Sequence, residues 1–324
     1  MTDKDEKRTL YPAIEPLEFR HLKVSFGHEI YIERCGNSEG IPIIFLHGGP
    51  GGGCKADHRR YFDPEIYNII LMDQRGSGRS LPYGKIKGNS TDLLIEDMER
   101  VRCHFNLDQW ALFAGSWGVT LALAYAQAHP SRVSAMVLRG VFLGQDDNVD
   151  WFFGKGANWF LPQQWNEFFE EMQFNDMEPI KDQLYNRIFS EDVNVVAKTA
   201  KAWEKWSGAV VMFSLSSPGF DSNNSVDESA IVKAKIEFHY AKNQYFLEKN
   251  ELLKNIGLVP DVPISIIHGA RDLTCLPENA WKLHKMLPTS TVRFLHSAGH
   301  LGSERDMVDA LVQATDSLSK QLVR

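Results

Sequence analysis

The stretch from Trp110 to His129 constrains this chain more than any other, because it joins two element types through one small-residue turn. Trp110-Ala-Leu-Phe-Ala114 is a short apolar run bounded by Asp108-Gln109 and reads as a buried strand. Val119 to His129 is rich in Ala and Leu and is stopped by Pro130, the pattern of a helix. Between them stands Gly115-Ser116-Trp117-Gly118. A serine on such a tight strand-to-helix turn is lifted above the sheet, where its Oγ can meet a substrate. The usual pattern is G-x-S-x-G; here Ala114 takes the upstream glycine's place and is small enough for the same turn.

Strand-like runs recur at His21 to Phe26, Glu29 to Glu33, Pro42 to His47, Asn68 to Met72, Trp110 to Ala114, Ser134 to Leu138, Pro263 to His268 and Thr291 to Leu295. Gly27-His28 between the first two predicts a hairpin turn. The later runs alternate with helical patterns such as Leu93 to His104, which predicts parallel strands with crossover helices. Ile43 to Leu46 and Ile69 to Met72 lack in/out alternation, as strands covered on both faces do.

From Gln145 to Glu251 strand signals vanish, and Trp, Phe and acidic residues concentrate, as in Trp151-Phe-Phe153, Trp159-Phe160 and Phe168-Phe169. This predicts a helical insertion after the sixth strand, with Ser216 to Ser225 as a loop inside it. Most of the rings are expected to pack a core, and some to wall an apolar pocket. The expected architecture is α/β: an eight-stranded, mostly parallel sheet flanked by helices. Residues 1–144 and 252–324 would form its two parts, and 145–251 a helical cap.

A serine hydroxyl needs a base to take its proton, and the base needs a partner to hold its tautomer. Chains with this elbow order the parts as Ser, acid, His. Pro263-Ile-Ser-Ile-Ile-His268 is followed by Gly269-Ala-Arg-Asp272, which places a carboxylate just past the seventh strand. Asp272 is either the orienting acid or a cap for the helix beginning near Pro277. The eighth strand runs into His296-Ser-Ala-Gly-His300; His300, beyond the turn, is the expected base and His296 a structural residue. His47-Gly-Gly-Pro-Gly-Gly-Gly53 follows the third strand. Its glycines can aim backbone N–H groups at a ligand. A phosphate cradle is the alternative, but no G-x-x-x-x-G-K-[ST] is present and Pro50 removes a donor. The N–H groups of Gly49 and Trp117 are the expected oxyanion donors. The charges of Asp73-Gln-Arg-Gly-Ser-Gly-Arg-Ser80 are expected to fix loops.

Bulk properties exclude several classes. A net charge of −7 across 324 residues argues against a nucleic-acid partner. The apolar runs are too short for a membrane span, and the charged start, Met1 to Arg8, reads as no secretory signal. Cys35, Cys54, Cys103 and Cys275 lie far apart, which predicts free thiols in a reducing cytoplasm. No metal or organic cofactor is expected, because the histidines lack H-E-x-x-H or similar spacing.

Taken together, His47 to Gly53, Asp73 to Ser80, Gly115 to Gly118, Leu121-Ala-Leu-Ala-Tyr-Ala-Gln127, Leu138-Arg-Gly140, Ile236-Glu237, His239-Tyr240 and Ala298-Gly-His300 resemble the proline iminopeptidases of the α/β-hydrolase fold. The likeness covers nearly the whole chain. It implies release of N-terminal proline from small peptides, with Ser116, Asp272 and His300 as the triad and Glu237 binding the substrate's free amine. The family has Trp-Glu-Gly where this chain has Trp206-Ser207-Gly208, and that glutamate is a second amine ligand. Glu204, three residues earlier, either supplies the missing charge or is an ordinary solvated glutamate. Phe142 completes the candidate substrate-binding set. The expected activity is a serine exopeptidase; the alternatives are an esterase or amidase of relaxed specificity and, remotely, a non-catalytic binding protein. Ser116 stands where epoxide hydrolases and dehalogenases carry Asp.

Overall fold

A computed structural model describes residues 7–154, 156–175, 177–215 and 227–322. Most of the charged start and the loop read at Ser216 to Ser225 lie outside the described residues. One sheet contains β1 (Glu18–Lys23), β2 (Glu29–Gly36), β3 (Ile41–Leu46), β4 (Tyr67–Met72), β5 (Trp110–Gly115), β6 (Val133–Arg139), β7 (Ile264–Gly269) and β8 (Thr291–Leu295). Its spatial order is β1-β2-β4-β3-β5-β6-β7-β8. Only β1–β2 and β2–β4 pair antiparallel; from β4 to β8 every neighbouring pair is parallel.

Parallel pairing demands crossovers, and helices supply them. Helix α1 (Thr91–His104) precedes β5, and α2 (Trp117–Ala128) joins β5 to β6. Among the described residues six α-helices lie between β6 and β7: α3 (Asp146–Phe152), α4 (Pro162–Met172), α5 (Ile180–Ile188), α6 (Val193–Val211), α7 (Glu228–Lys242) and α8 (Glu251–Lys254). Helix α9 (Pro277–Met286) joins β7 to β8, and α10 (Arg305–Leu322) follows β8. Alternate residues of β3 and β4 enter different cores. Ile44, Leu46, Ile70 and Met72 pack with α1, α2 and α9, while Ile43, Phe45, Ile69 and Leu71 pack with α10. Both faces are therefore buried, which is why these strands show no alternation of apolar and polar residues. In the inserted helices Trp203 stacks on Phe153 at 4.7 Å, and Trp206 lies parallel to Phe168 at 6.1 Å. Among the described residues no helix is long and apolar enough to cross a membrane.

The first strand differs from its sequence reading. It spans Glu18–Lys23 rather than His21 to Phe26, because Phe26 and Gly27 take φ of 59° and 68° in a short 3-10 turn. That turn closes the β1–β2 hairpin, and pairing of Glu18 with Arg34 extends the strand backwards.

Close approach of α2 to the sheet explains the residues around Ser116. A Cβ on Gly118 would lie 2.3 Å from the Leu46 carbonyl oxygen, and one on Gly115 would lie 2.3 Å from Arg139 Nη2. Ala114, by contrast, is an ordinary buried β5 residue paired with Leu46 and Leu138. Its methyl group occupies core space, so glycine is not required there. Gly118→Ala should consequently destabilise the protein by about 1–3 kcal/mol through overpacking against β3. Denaturant unfolding of the variant measures this; a wild-type midpoint would mean that α2 can shift freely.

Candidate active site

Loops leaving the C-terminal ends of β3, β5, β6, β7 and β8 meet the inserted helices around a cavity of about 600 Å³. Ser116, His300, Gly49, Phe142, Glu204 and Glu237 all line it. Asp272 and Trp117 sit behind its wall. Ser116 has φ 57° and ψ −125°, a sparsely populated backbone conformation for a residue with a side chain. The neighbouring strand helps to hold it there: the Ser116 N–H donates to the Arg139 carbonyl at 2.9 Å. Its Oγ lies 3.9 Å from Cys275 Sγ.

Asp272 and His300 are joined directly, with Nδ1 2.8 Å from Oδ2. That bond leaves Nε2 as the nitrogen available to Ser116. The other Asp272 oxygen, Oδ1, accepts the backbone N–H groups of Thr274 at 2.9 Å and Cys275 at 2.8 Å. Asp272 thus orders its own turn as well as holding the histidine. Burial alone would raise this carboxyl, but the attraction of the neighbouring His300 and the hydrogen bonds it accepts outweigh burial and leave it below the usual carboxylate range. His296 is exposed.

Sequence reasoning missed His268, although a histidine ending an otherwise apolar strand is a visible signal. It is fully buried, accepts the Val141 N–H through Nδ1 at 3.1 Å, and donates from Nε2 to the Cys275 carbonyl at 2.8 Å. One neutral ring therefore ties the Gly140–Phe142 loop to the Asp272–Cys275 turn, and burial holds its pKa down in keeping with that role.

On the opposite side the glycine loop presses against Ser116. A Cβ on Gly48 would lie 3.2 Å from the serine's own Cβ, and Gly49 has φ 120°, which glycine adopts readily. Among the described residues neither the Gly49 nor the Trp117 N–H donates to another group; Trp117 opens α2, where the first N–H groups have no intrahelical acceptor. Behind them, Trp117 Nε1 donates to Gln74 Oε1 at 2.8 Å, and Gln74 donates to His47 through both its backbone and side chain. Asp73 accepts the Cys54 and Arg79 N–H groups at 2.7 and 2.8 Å, pinning the loops after β3 and β4 together.

Much of the remaining wall belongs to α6 and α7, with Val149 and Phe152 of α3 beside them. Glu237 is buried, and its Oε2 accepts from Trp203 Nε1 at 2.8 Å. Burial raises its pKa, opposed by Lys233 one turn earlier and by the Trp203 bond. Glu204 and Ser207 share one face of α6 and both line the cavity, Glu204 exposed and Ser207 buried. The Phe142 ring packs edge-on to Tyr245 at 4.9 Å, and Tyr245 also lines the cavity. Among the described residues no cluster of three or more His, Cys, Asp or Glu side chains is arranged to hold a metal ion.

Residues 41–305 match the model of the α/β hydrolase fold. A probable proline iminopeptidase of Leptolyngbya boryana is 41% identical over 97% of this chain and 98% of its own length. The proline iminopeptidase of Arabidopsis thaliana is 38% identical, covering 96% of this chain and 82% of the relative. The chain belongs to the proline iminopeptidase family. A solved proline iminopeptidase-related protein from Thermus thermophilus shares its fold, with a TM-score of 0.54 at 22% identity over 94% of this chain and 97% of the other.

Cys275 gives this site a chemical handle. Burial beside the Asp272 carboxylate pushes its thiol well above the ordinary range, so the thiolate is scarce at neutral pH. Alkylation of Cys275 by a bulky maleimide should be slow at neutral pH and accelerate as pH rises, far behind the exposed Cys103. Each modified molecule should lose activity by obstruction, and Cys275→Ser should be active and resistant. Rapid labelling of Cys275 at about pH 7, followed by mass spectrometry, would contradict this.

Proposed function

We propose that this chain is a metal-independent serine aminopeptidase that releases N-terminal proline from small peptides. The observation that carries the reading is one cavity holding Ser116, the Asp272-bound His300 and the buried carboxylate of Glu237. Family membership supports the same activity. In this mechanism His300 Nε2 takes the Ser116 proton as Oγ attacks the proline carbonyl. Asp272 holds the imidazole in the tautomer with Nδ1–H and stabilises the imidazolium. The Gly49 and Trp117 N–H groups bind the oxyanion, each contributing roughly 2.7–4 kcal/mol to the transition state. His300 then protonates the departing amine, and the acyl-enzyme is cleared by water that the same imidazole activates.

Glu237 recognises the free amine, with Glu204 adding a solvent-screened charge and the Phe142 ring flanking the pyrrolidine. Residues 145–251 act as a cap that carries Glu204 and Glu237 over the sheet edge. Four free cysteines fit a cytoplasmic setting. Ser207, where the family carries glutamate, favours a second reading: an esterase or amidase tolerant of other acyl groups.

Ser116→Ala should fold normally and lose at least about 10⁴-fold in turnover, and a serine-directed phosphonate should label Ser116 alone. Retained activity or labelling elsewhere would reject the assignment.

Glu237→Gln tests the substrate. Losing a charge-assisted hydrogen bond costs about 1.5–3 kcal/mol, so KM for proline arylamide should rise very roughly 10- to 100-fold while an uncharged aryl ester is little affected. Because burial raises the folded pKa of Glu237, its charge is lost at higher pH than an ordinary glutamate's. Preference for arylamide over ester should therefore decline as pH falls through a point above the usual glutamate range. Ser207→Glu should improve arylamide turnover. Equal loss on both substrates in Glu237→Gln would favour the esterase reading.

A further inference from the structure

Glu304 stands immediately before α10, where an acidic side chain ordinarily complements its own helix terminus. Its carboxylate turns away from that helix. Oε1 and Oε2 accept the Gly299 N–H at 3.1 and 3.0 Å, and Oε1 also accepts the Leu301 N–H at 3.2 Å. These are the backbone N–H groups of the residues on either side of His300. The His300 carbonyl between them accepts from Arg139 Nη1. The backbone on both sides of the imidazole is thereby fixed by charged side chains, while the ring itself is held by Asp272 through Nδ1.

A fourth bond reaches the inserted helices. Ser214 Oγ donates to Glu304 Oε1 at 3.1 Å. Ser214 lies three residues beyond the end of α6, the helix whose Glu204 and Ser207 line the cavity. The contact is close: a Cβ on Gly299 would lie 2.3 Å from Ser214 Oγ. One carboxylate thus joins the histidine loop to the helix that borders the amine site.

We propose that Glu304 is a positioning residue for His300, and that Ser214 couples it to the helix bearing the amine-binding wall. This rests on the catalytic role of His300 proposed above. A carboxylate accepting several N–H bonds holds a loop more stiffly than neutral acceptors do, because each bond is charge-assisted. Without it, the loop would drift, and a misplacement of about 1 Å can cost about 10²-fold in rate. Ground-state binding is left alone, since Glu304 does not line the cavity.

The test compares Glu304→Ala, Glu304→Gln and Ser214→Ala in the full chain, using proline p-nitroanilide and a proline ester of an activated phenol. Glu304→Ala should lower kcat on the anilide about 100-fold with KM within about threefold. Loss on the ester should be smaller, because an activated phenolate departs without a proton from the imidazole. Glu304→Gln keeps one oxygen acceptor and should recover roughly tenfold of the loss. Ser214→Ala should lower anilide kcat several-fold. The low-field proton NMR signal of the His300 Nδ1–H should broaden or vanish in Glu304→Ala and return in Glu304→Gln. A folded Glu304→Ala with wild-type kcat, or equal losses on both substrates without rescue by Gln, would overturn the proposal. If Glu304→Ala does not fold, wild-type anilide kcat in Glu304→Gln overturns it. His300→Ala separates the two readings: turnover retained there rejects the catalytic role itself, whereas turnover abolished there with normal Glu304 variants rejects only the positioning role.

Discussion

Strands β4, β3, β5, β6, β7 and β8 all point the same way, so their C-terminal ends open onto a single edge of the sheet. Burial on both faces fills β3, β4 and β5 almost wholly with apolar side chains and leaves no room there for a solvated nucleophile or base, whereas the edge strand β8 keeps Thr291 and Arg293 exposed. Chemistry is therefore confined to the loops that leave that edge. The glycine loop follows β3, Ser116 follows β5, Phe142 follows β6, Asp272 follows β7 and His300 follows β8. Neighbouring strands stand about 4.8 Å apart, so loops from adjacent strands meet within hydrogen-bonding reach without long excursions. The Asp272–His300 bond joins the loops after the adjacent β7 and β8, and the Ser116 N–H bond to Arg139 joins β5 to β6.

Most of the buried charge in the molecule holds loops and takes no part in the proposed chemistry. Arg75 and Asp97 form a fully buried pair, and Glu33 takes both Arg59 and Arg79. Such pairs are costly to desolvate and are retained where every donor and acceptor is satisfied. Asp73 and Arg79 follow that logic, stitching the loop after β4 to the one after β3. His47 and His268 do the same as neutral rings, each bonded to backbone groups of two segments. Glu237 is the exception: a buried carboxylate whose hydrogen bond comes from one indole N–H. It faces a cavity with acceptor capacity to spare.

The sheet was legible because its signals are local. Apolar runs, the Gly-rich turn after β3 and the serine between strand and helix each lie within a dozen residues. The first strand was misplaced because Phe26 has the composition of a strand residue, and only its positive φ puts it in the turn. The order Ser116, Asp272, His300 could be read because each follows a recognisable strand. The roles of His268 and Glu304 could not, since each depends on a partner far away in sequence: Val141 for His268 and Ser214 for Glu304. Nothing in a linear reading pairs these residues, although Cys275, Gly299 and Leu301 lie nearby in the chain. The pocket wall was partly legible. Helical spacing put Glu204 and Ser207 on one face, but only the packing of α6 against α7 brings that face to Glu237.

That packing sets the electrostatics of the proposed amine recognition. A carboxylate in water gains little from meeting an ammonium, because solvent already stabilises both ions. Glu237 is in the other regime: burial has removed its water, and Trp203 returns one hydrogen bond. A cationic amine arriving there restores much of the lost stabilisation, whereas a neutral acyl group restores none of it. Glu204, exposed at the same wall, would act on such an amine through solvent and correspondingly more weakly. Lys233, one turn before Glu237, opposes the rise in its pKa and so favours the charged carboxylate. On the proposed reading, selectivity for a free amino terminus would be concentrated in one desolvated carboxylate, where a glutamate at the position of Ser207 would have divided it between two.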